Sequence, residues 1–233
     1  MATTLRNFLN TCGNSLDAPL RQHLKNVYAC LAMSTLTFAA GAYVHLYTEI
    51  LKGGLLMSLG ALGLLIALFG TQDDGKNRMR RLSYLLGFSF LSGLGMGPTL
   101  EVVMSIDPSI VMTAVLGTAV IFVSFSLSAL FAKRGQWLYL GGALMGTLNF
   151  LLLLSILNFF FRSSLIYQAH LYLGFFLMCG FIIYDTQLIV EKHAMGSTDF
   201  ILHSLDLFAD FVGVFRHLLV ILTQKTQQNN RKE

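Results

Sequence analysis

Seven apolar runs separated by short polar connections occupy most of this chain, and they nearly dictate its fold class. Crossing about 30 Å of hydrocarbon takes about 20 helical residues, and a spanning helix satisfies its own backbone hydrogen bonds. Reading each run out to its bounding charges or turn residues predicts helices near 27–48, 54–71, 82–104, 110–132, 137–161, 167–190 and 202–222. With 55% hydrophobic and 12% charged residues, the 233-residue chain lacks the charge with which a soluble domain covers its surface. The expectation is an all-α membrane protein with six or seven transmembrane helices over 27–222. A cytosolic segment, 1–26, precedes this domain and a polar basic tail, 223–233, follows it.

The first 26 residues end in RQHLKN and show no compact apolar region with a small-residue cleavage site, so no removable signal peptide is expected. Cys12, Cys30 and Cys179 are too widely spaced for a disulfide framework or zinc site and read as isolated thiols. The net charge of +4 comes from residues scattered over loops and ends, which argues against a nucleic-acid surface. Their distribution instead sets orientation. Arg6, Arg21 and Lys25 precede the first span. Lys76, Arg78, Arg80 and Arg81, then Lys133 and Arg134, then Lys192 occupy alternate connections, while the others carry only Lys52 and Arg162. Positive-inside bias therefore predicts a cytosolic N-terminus. Seven crossings would leave Lys225, Arg231 and Lys232 on the far side, so a re-entrant last segment stays open.

Small residues mark possible close helix approaches: Gly60 and Gly63, then Gly93 and Gly97, then Gly142 and Gly146. For SGLGMGP the alternative is a broken helix in which Gly93, Gly95 and Gly97 line a cation route beside Pro98. His45, His170, Glu101 and Asp107 fall near predicted span ends and read as interfacial groups.

Asp185 in CGFIIYDTQLIV and Asp206 and Asp210 in ILHSLDLFADFVGVFRHLLVIL are the groups lipid should exclude. On insertion scales each costs roughly 2.5–3.5 kcal/mol near a helix centre, so such residues face protein or water and usually serve function. If the last two segments form an antiparallel hairpin turning at Met195–Ser197, Asp185 and Asp210 reach similar depth. Asp199, His203, Asp206, Asp210 and His217 share a sector of about 60° on the last helix, which suits a helix with lipid or packed helices on most sides and a polar interior on one. Carboxyls that meet there share a proton and titrate as one unit, so a pH switch is available. The competing reading has the aspartates bonding neighbouring helices or pairing with Lys192 or Arg216. An intramembrane aspartyl protease would need a GxGD motif, whereas Asp210 lies in LFAD; no enzyme is expected.

Taken together, CGFIIYDTQLIVEK with SLDLFADFVGVFRHLL, and QHLKNVYACLAMSTLTFAAGAYVH with PSIVMTAVLGTAVIFVSFSLSALFAKR, resemble the transmembrane Bax inhibitor motif family from about Gln22 to Leu222. The resemblance implies six helices around the last one and a pH-regulated calcium leak in the endoplasmic reticulum membrane. It also implies suppression of stress-induced apoptosis linked to the unfolded protein response. Asp185 and Asp210 match the family's pH-sensing pair, with transient calcium contact, and Asp206 an additional acidic position; His203 is a candidate for the pathway. No cofactor is implied, calcium being the permeant ion. Prokaryotic relatives latch the first aspartate with an arginine at the end of the second span, but ALFGTQDDGKNRMRR places its basic residues later, so no latch residue carries over. A proton–calcium exchanger, or an interaction protein that binds apoptosis regulators and stress sensors without conducting ions, are the alternatives.

Overall fold

In the computed structural model, which describes residues 17–48 and 53–230, seven helices follow one another and no strand occurs among the described residues. They are α1 (Ala18–Tyr47), α2 (Leu55–Gly70), α3 (Arg78–Ile106), α4 (Ser109–Phe131), α5 (Leu140–Phe161), α6 (Ser164–Ala194) and α7 (Phe200–Asn230). Five of them, α1 and α3 to α6, are long and apolar enough to cross a bilayer. The 16 residues of α2 reach about 24 Å at 1.5 Å per residue. The last helix, α7, is not among those five, but its 31 residues run as one helix without turning back. Cys12, Arg6, Lys52, Arg231 and Lys232 lie outside the described residues.

Two boundaries differ from expectation. The first helix begins at Ala18 because Pro19, whose missing N–H costs nothing in a first turn, pre-sets the backbone there. The last continues to Asn230 through TQKTQQNN, which had read as an irregular tail, since Lys and Gln sustain a helix already nucleated by its buried part.

Around α7 stand two helix pairs. In the first, α1 and α3 pack along their length and α2 leans on α3; in the second, α4 and α6 pack together and α5 leans on α6. Thus four helices, not six, line the central one. The helix α2 meets α7 at a small apolar cluster in which Leu68 joins Leu85, Ile201 and Leu205, with Leu65 packed beside it. The main core runs along α7 itself, where Leu207, Phe208, Val214, Phe215 and Leu219 are buried among residues of α1, α3, α4 and α6. Phe208 anchors it edge-on between Phe38 and Phe88.

The seam between α1 and α3 is backbone on backbone. A Cβ on Gly93 would lie 2.0 Å from the Phe38 carbonyl oxygen, and one on Gly41 would lie 2.1 Å from that of Phe90. This accounts for SGLGMGP: α3 runs unbroken through Gly93, Gly95, Gly97 and Pro98, so the alternative of a broken helix lining a cation route is absent. Gly93 and Gly97 serve close packing, the latter beneath the His45 ring, and Gly95 faces outward. The Gly142 and Gly146 pair, in contrast, meets nothing within 4 Å on the exposed face of α5.

Candidate functional site

A tight turn positions the site. Gly196, at φ +96°, folds α6 back into α7 in a backbone conformation other residues resist, and Asp199 caps the new helix by accepting the Leu202 N–H at 3.0 Å. The two helices therefore run antiparallel, and Asp185 and Asp210 meet across them.

Their carboxyls hydrogen-bond one another. Such a contact holds only with a proton between the oxygens, because two carboxylates at that distance repel. Asp210 is buried, and its Oδ2 finds no hydrogen-bond partner among the described residues. Asp206, one turn nearer the hairpin tip and half-buried, instead faces Lys192 Nζ at 3.6 Å. Asp185 also lies in the field of Lys192. The pair thus has one shared proton and one cation a turn away.

The other members of the expected polar stripe part company. Asp199 takes Arg81 Nη2 of α3 at 2.6 Å, and His203 Nδ1 lies 2.9 Å from His23 Nε2 of α1. His217 bonds only back to the Gly213 carbonyl, at 2.8 Å. A single polar interior was expected; the stripe serves three different neighbours, because successive turns of α7 meet different helices. His203 is buried in a histidine cluster, with His193 stacked on His23 at 4.4 Å. Arg216 is exposed and Lys192 is taken by Asp206.

At the opposite end His45, in the last turn of α1, is 2% exposed. Its Nδ1 accepts the Gly53 N–H at 2.6 Å and its Nε2 lies 3.2 Å from Glu101. Asp107, in the α3–α4 turn, accepts from the Ser109 hydroxyl and backbone N–H, and those bonds hold its carboxyl below the usual range.

Arg81, Gln187 and His23 were not singled out from the sequence. Arg81 had read only as an orientation charge, yet its guanidinium is 3% exposed and spans Asp199 and, at 4.0 Å, Asp73. It therefore holds Asp199 at the hairpin tip rather than Asp185. Gln187, two residues beyond Asp185, donates to the Ala129 carbonyl at 2.6 Å and accepts the Gly135 N–H at 2.8 Å, tying α6 to the end of α4. Among the described residues no three His, Cys, Asp or Glu side chains converge as a metal cage.

Such a hairpin, with a carboxyl pair buried at the core of a helical bundle, defines a multi-pass all-α membrane protein whose central helix is its polar one. A family model described as inhibitor of apoptosis-promoting Bax1 matches residues 20–227. Bax inhibitor 1 of Homo sapiens is 49% identical over 213 residues, spanning 91% of this chain and 90% of its own length. The probable Bax inhibitor 1 of Paralichthys olivaceus is likewise 49% identical over 211 residues, 91% and 89% of the two chains. The Drosophila melanogaster protein is 43% identical over 230 residues, 98% and 94%. This chain belongs to the Bax inhibitor 1 family of apoptosis-related membrane proteins.

Proposed function

We propose that this protein is a proton-regulated calcium leak of the endoplasmic reticulum membrane, through which it restrains stress-induced apoptosis. The observation that carries the reading is the hydrogen-bonded contact between Asp185 and Asp210 across the α6–α7 hairpin. With one proton shared, the contact is attractive and locks α7 against α6. Once the proton leaves, two negative charges face each other in a poorly solvated site, and the pair separates or recruits a cation. Calcium suits that role, since it takes oxygen ligands and exchanges them readily in flexible sites. Asp206 and Lys192 set the local charge beside the pair. The site is a transient contact for a passing ion rather than a resident metal centre, in keeping with two carboxylates and no third ligand.

Reconstituted liposomes with an internal calcium dye test this. Flux through the unmodified protein should vary with pH, and Asp185→Asn or Asp210→Asn should flatten that dependence while the protein stays folded, because an amide can still donate to the remaining carboxylate. A pH profile unchanged in both variants would remove the sensor. Calcium driven uphill by an imposed proton gradient would convert the leak into an exchanger. Cell protection that persists without flux would point to the interaction role, with apoptosis regulators or stress sensors as partners.

A further inference from the structure

The two helix pairs that clamp α7 do not close on one side. Although α1 and α4 both pack on α7, they scarcely touch each other. Between them lies an apolar chamber of about 470 Å³ with Tyr28, Ala32 and Thr35 on one wall, Phe122 and Ser126 on the other, and Phe211 of α7 as its floor. Leu130 also borders a second cavity of about 550 Å³ at the ends of α1, α4 and α6, lined by Asp17, Leu20, Lys133 and Arg134. Arg134 is held by Glu191 at 2.7 Å, but Lys133 is exposed and makes no ion pair among the described residues.

We infer that this cleft is a binding site for one phospholipid of the surrounding bilayer, its phosphate at Lys133 and an acyl chain lying between α1 and α4 against Phe211. Two observations commit it to that occupant. The first is polarity: a charged mouth that holds the exposed Lys133, with Asp17 on its rim and Arg134 held by Glu191, adjoins an apolar shaft, as an amphiphile requires. The second is length. From Leu20 at the mouth to Thr35 beside Phe211, α1 rises about 22 Å at 1.5 Å per residue. Half of a bilayer about 40–45 Å thick, headgroups included, is about the same.

The consequence lies in the floor. Phe211 follows Asp210 directly, so a chain in the cleft presses on the turn of α7 that carries the carboxyl pair. Occupancy of the cleft would then be felt at that contact whatever ion the protein passes.

The experiment uses the full chain in phosphatidylcholine liposomes containing a phosphatidylcholine with a photoactivatable diazirine on its acyl chain, followed by peptide mass spectrometry. Adducts should concentrate on the α1 and α4 walls about tenfold over the outward residues Phe150 and Leu153 of α5, a ratio worth about 1.4 kcal/mol. Ala32→Trp, which fills the chamber, should abolish that excess while labelling of α5 and monodispersity on size exclusion stay as they were. Lys133→Glu should weaken labelling by the phosphate-bearing probe but not by a diacylglycerol carrying the same diazirine chain. Uniform labelling of α1, α4 and α5 in the unmodified protein would overturn the site, as would cross-links between two copies through the cleft. Lys133→Glu affecting both probes equally, or neither, would overturn the assignment of the phosphate.

Discussion

Arg81 shows how a single side chain can hold the hairpin tip while looking like a surface charge. Its guanidinium, buried on α3, binds the Asp199 carboxylate that also caps α7. Burial pushes the Asp199 carboxyl up, but the Arg81 hydrogen bond, the Leu202 N–H and the nearby positive charge outweigh it and hold the group below its ordinary value of 3.8. A depressed folded-state pKa contributes stability that is present above the unfolded value and lost as pH falls through the folded one. The stability gap between the unmodified protein and Asp199→Asn, measured by denaturation in detergent micelles, should therefore be constant at neutral pH and close once the pH drops below 3.8. Arg81→Ala should cost about 3 kcal/mol, the loss expected when one member of a buried ion pair is removed, and Arg81→Lys should recover only part of it. The residue was legible in principle. Arg81, Leu85, Ser89, Gly93 and Gly97 recur every four positions and all are buried, so Arg81 lies in phase with the core stripe of α3. What hid it was its place in the RMRR run, where a count of basic residues sees orientation and nothing more.

Between elements, the contrast of two GxxxG pairs separates pattern from partner. Gly93→Ala would drive a Cβ into the Phe38 carbonyl and the α1 backbone, which cannot yield as a flexible side chain would; about 1–3 kcal/mol of destabilisation is expected. Gly142→Ala meets open space, so thermal unfolding of that variant should match the unmodified protein or rise slightly, by at most about 1 kcal/mol from improved helix propensity. Gln187→Leu should cost about 1–3 kcal/mol, because it strands the Gly135 N–H and the Ala129 carbonyl at the α4–α6 junction. All seven helices were readable from hydropathy, since spanning length is a one-dimensional property. Whether a small-residue pair faces a neighbour is not, because that depends on which helices the topology brings together. The same limit explains why hairpin arithmetic placed Asp185 beside Asp210 from local chain geometry alone, while His23 with His203, 180 residues apart, went unseen.

For the molecule as a whole, the continuous α7 decides where the two ends of the bundle lie. Its first turn sits with the beginnings of α1 and α3, through His23 and Arg81, and its last turns reach Tyr167 at the start of α6 and Val103 near the end of α3. The beginning of α1 and the end of α7 therefore fall on opposite faces. Among the described residues the first face gathers Arg21, Lys25, Lys76, Arg78, Arg80, Arg81, Lys133, Arg134 and Lys192, against Arg162 and Lys225 on the second. Positive-inside bias predicts that the basic face lies in the cytosol, against the smaller charge of Lys225, Arg231 and Lys232 at the other end of the chain. In intact microsomes carrying a tag at each end, added protease should remove the N-terminal tag and spare the C-terminal one until the membrane is permeabilised. Loss of both tags without permeabilisation would mean that α7 does not traverse. The distinction bears on the site itself, because a traversing α7 puts Asp210 partway along a path from one face to the other, whereas a helix lodged on one side would leave it at a dead end.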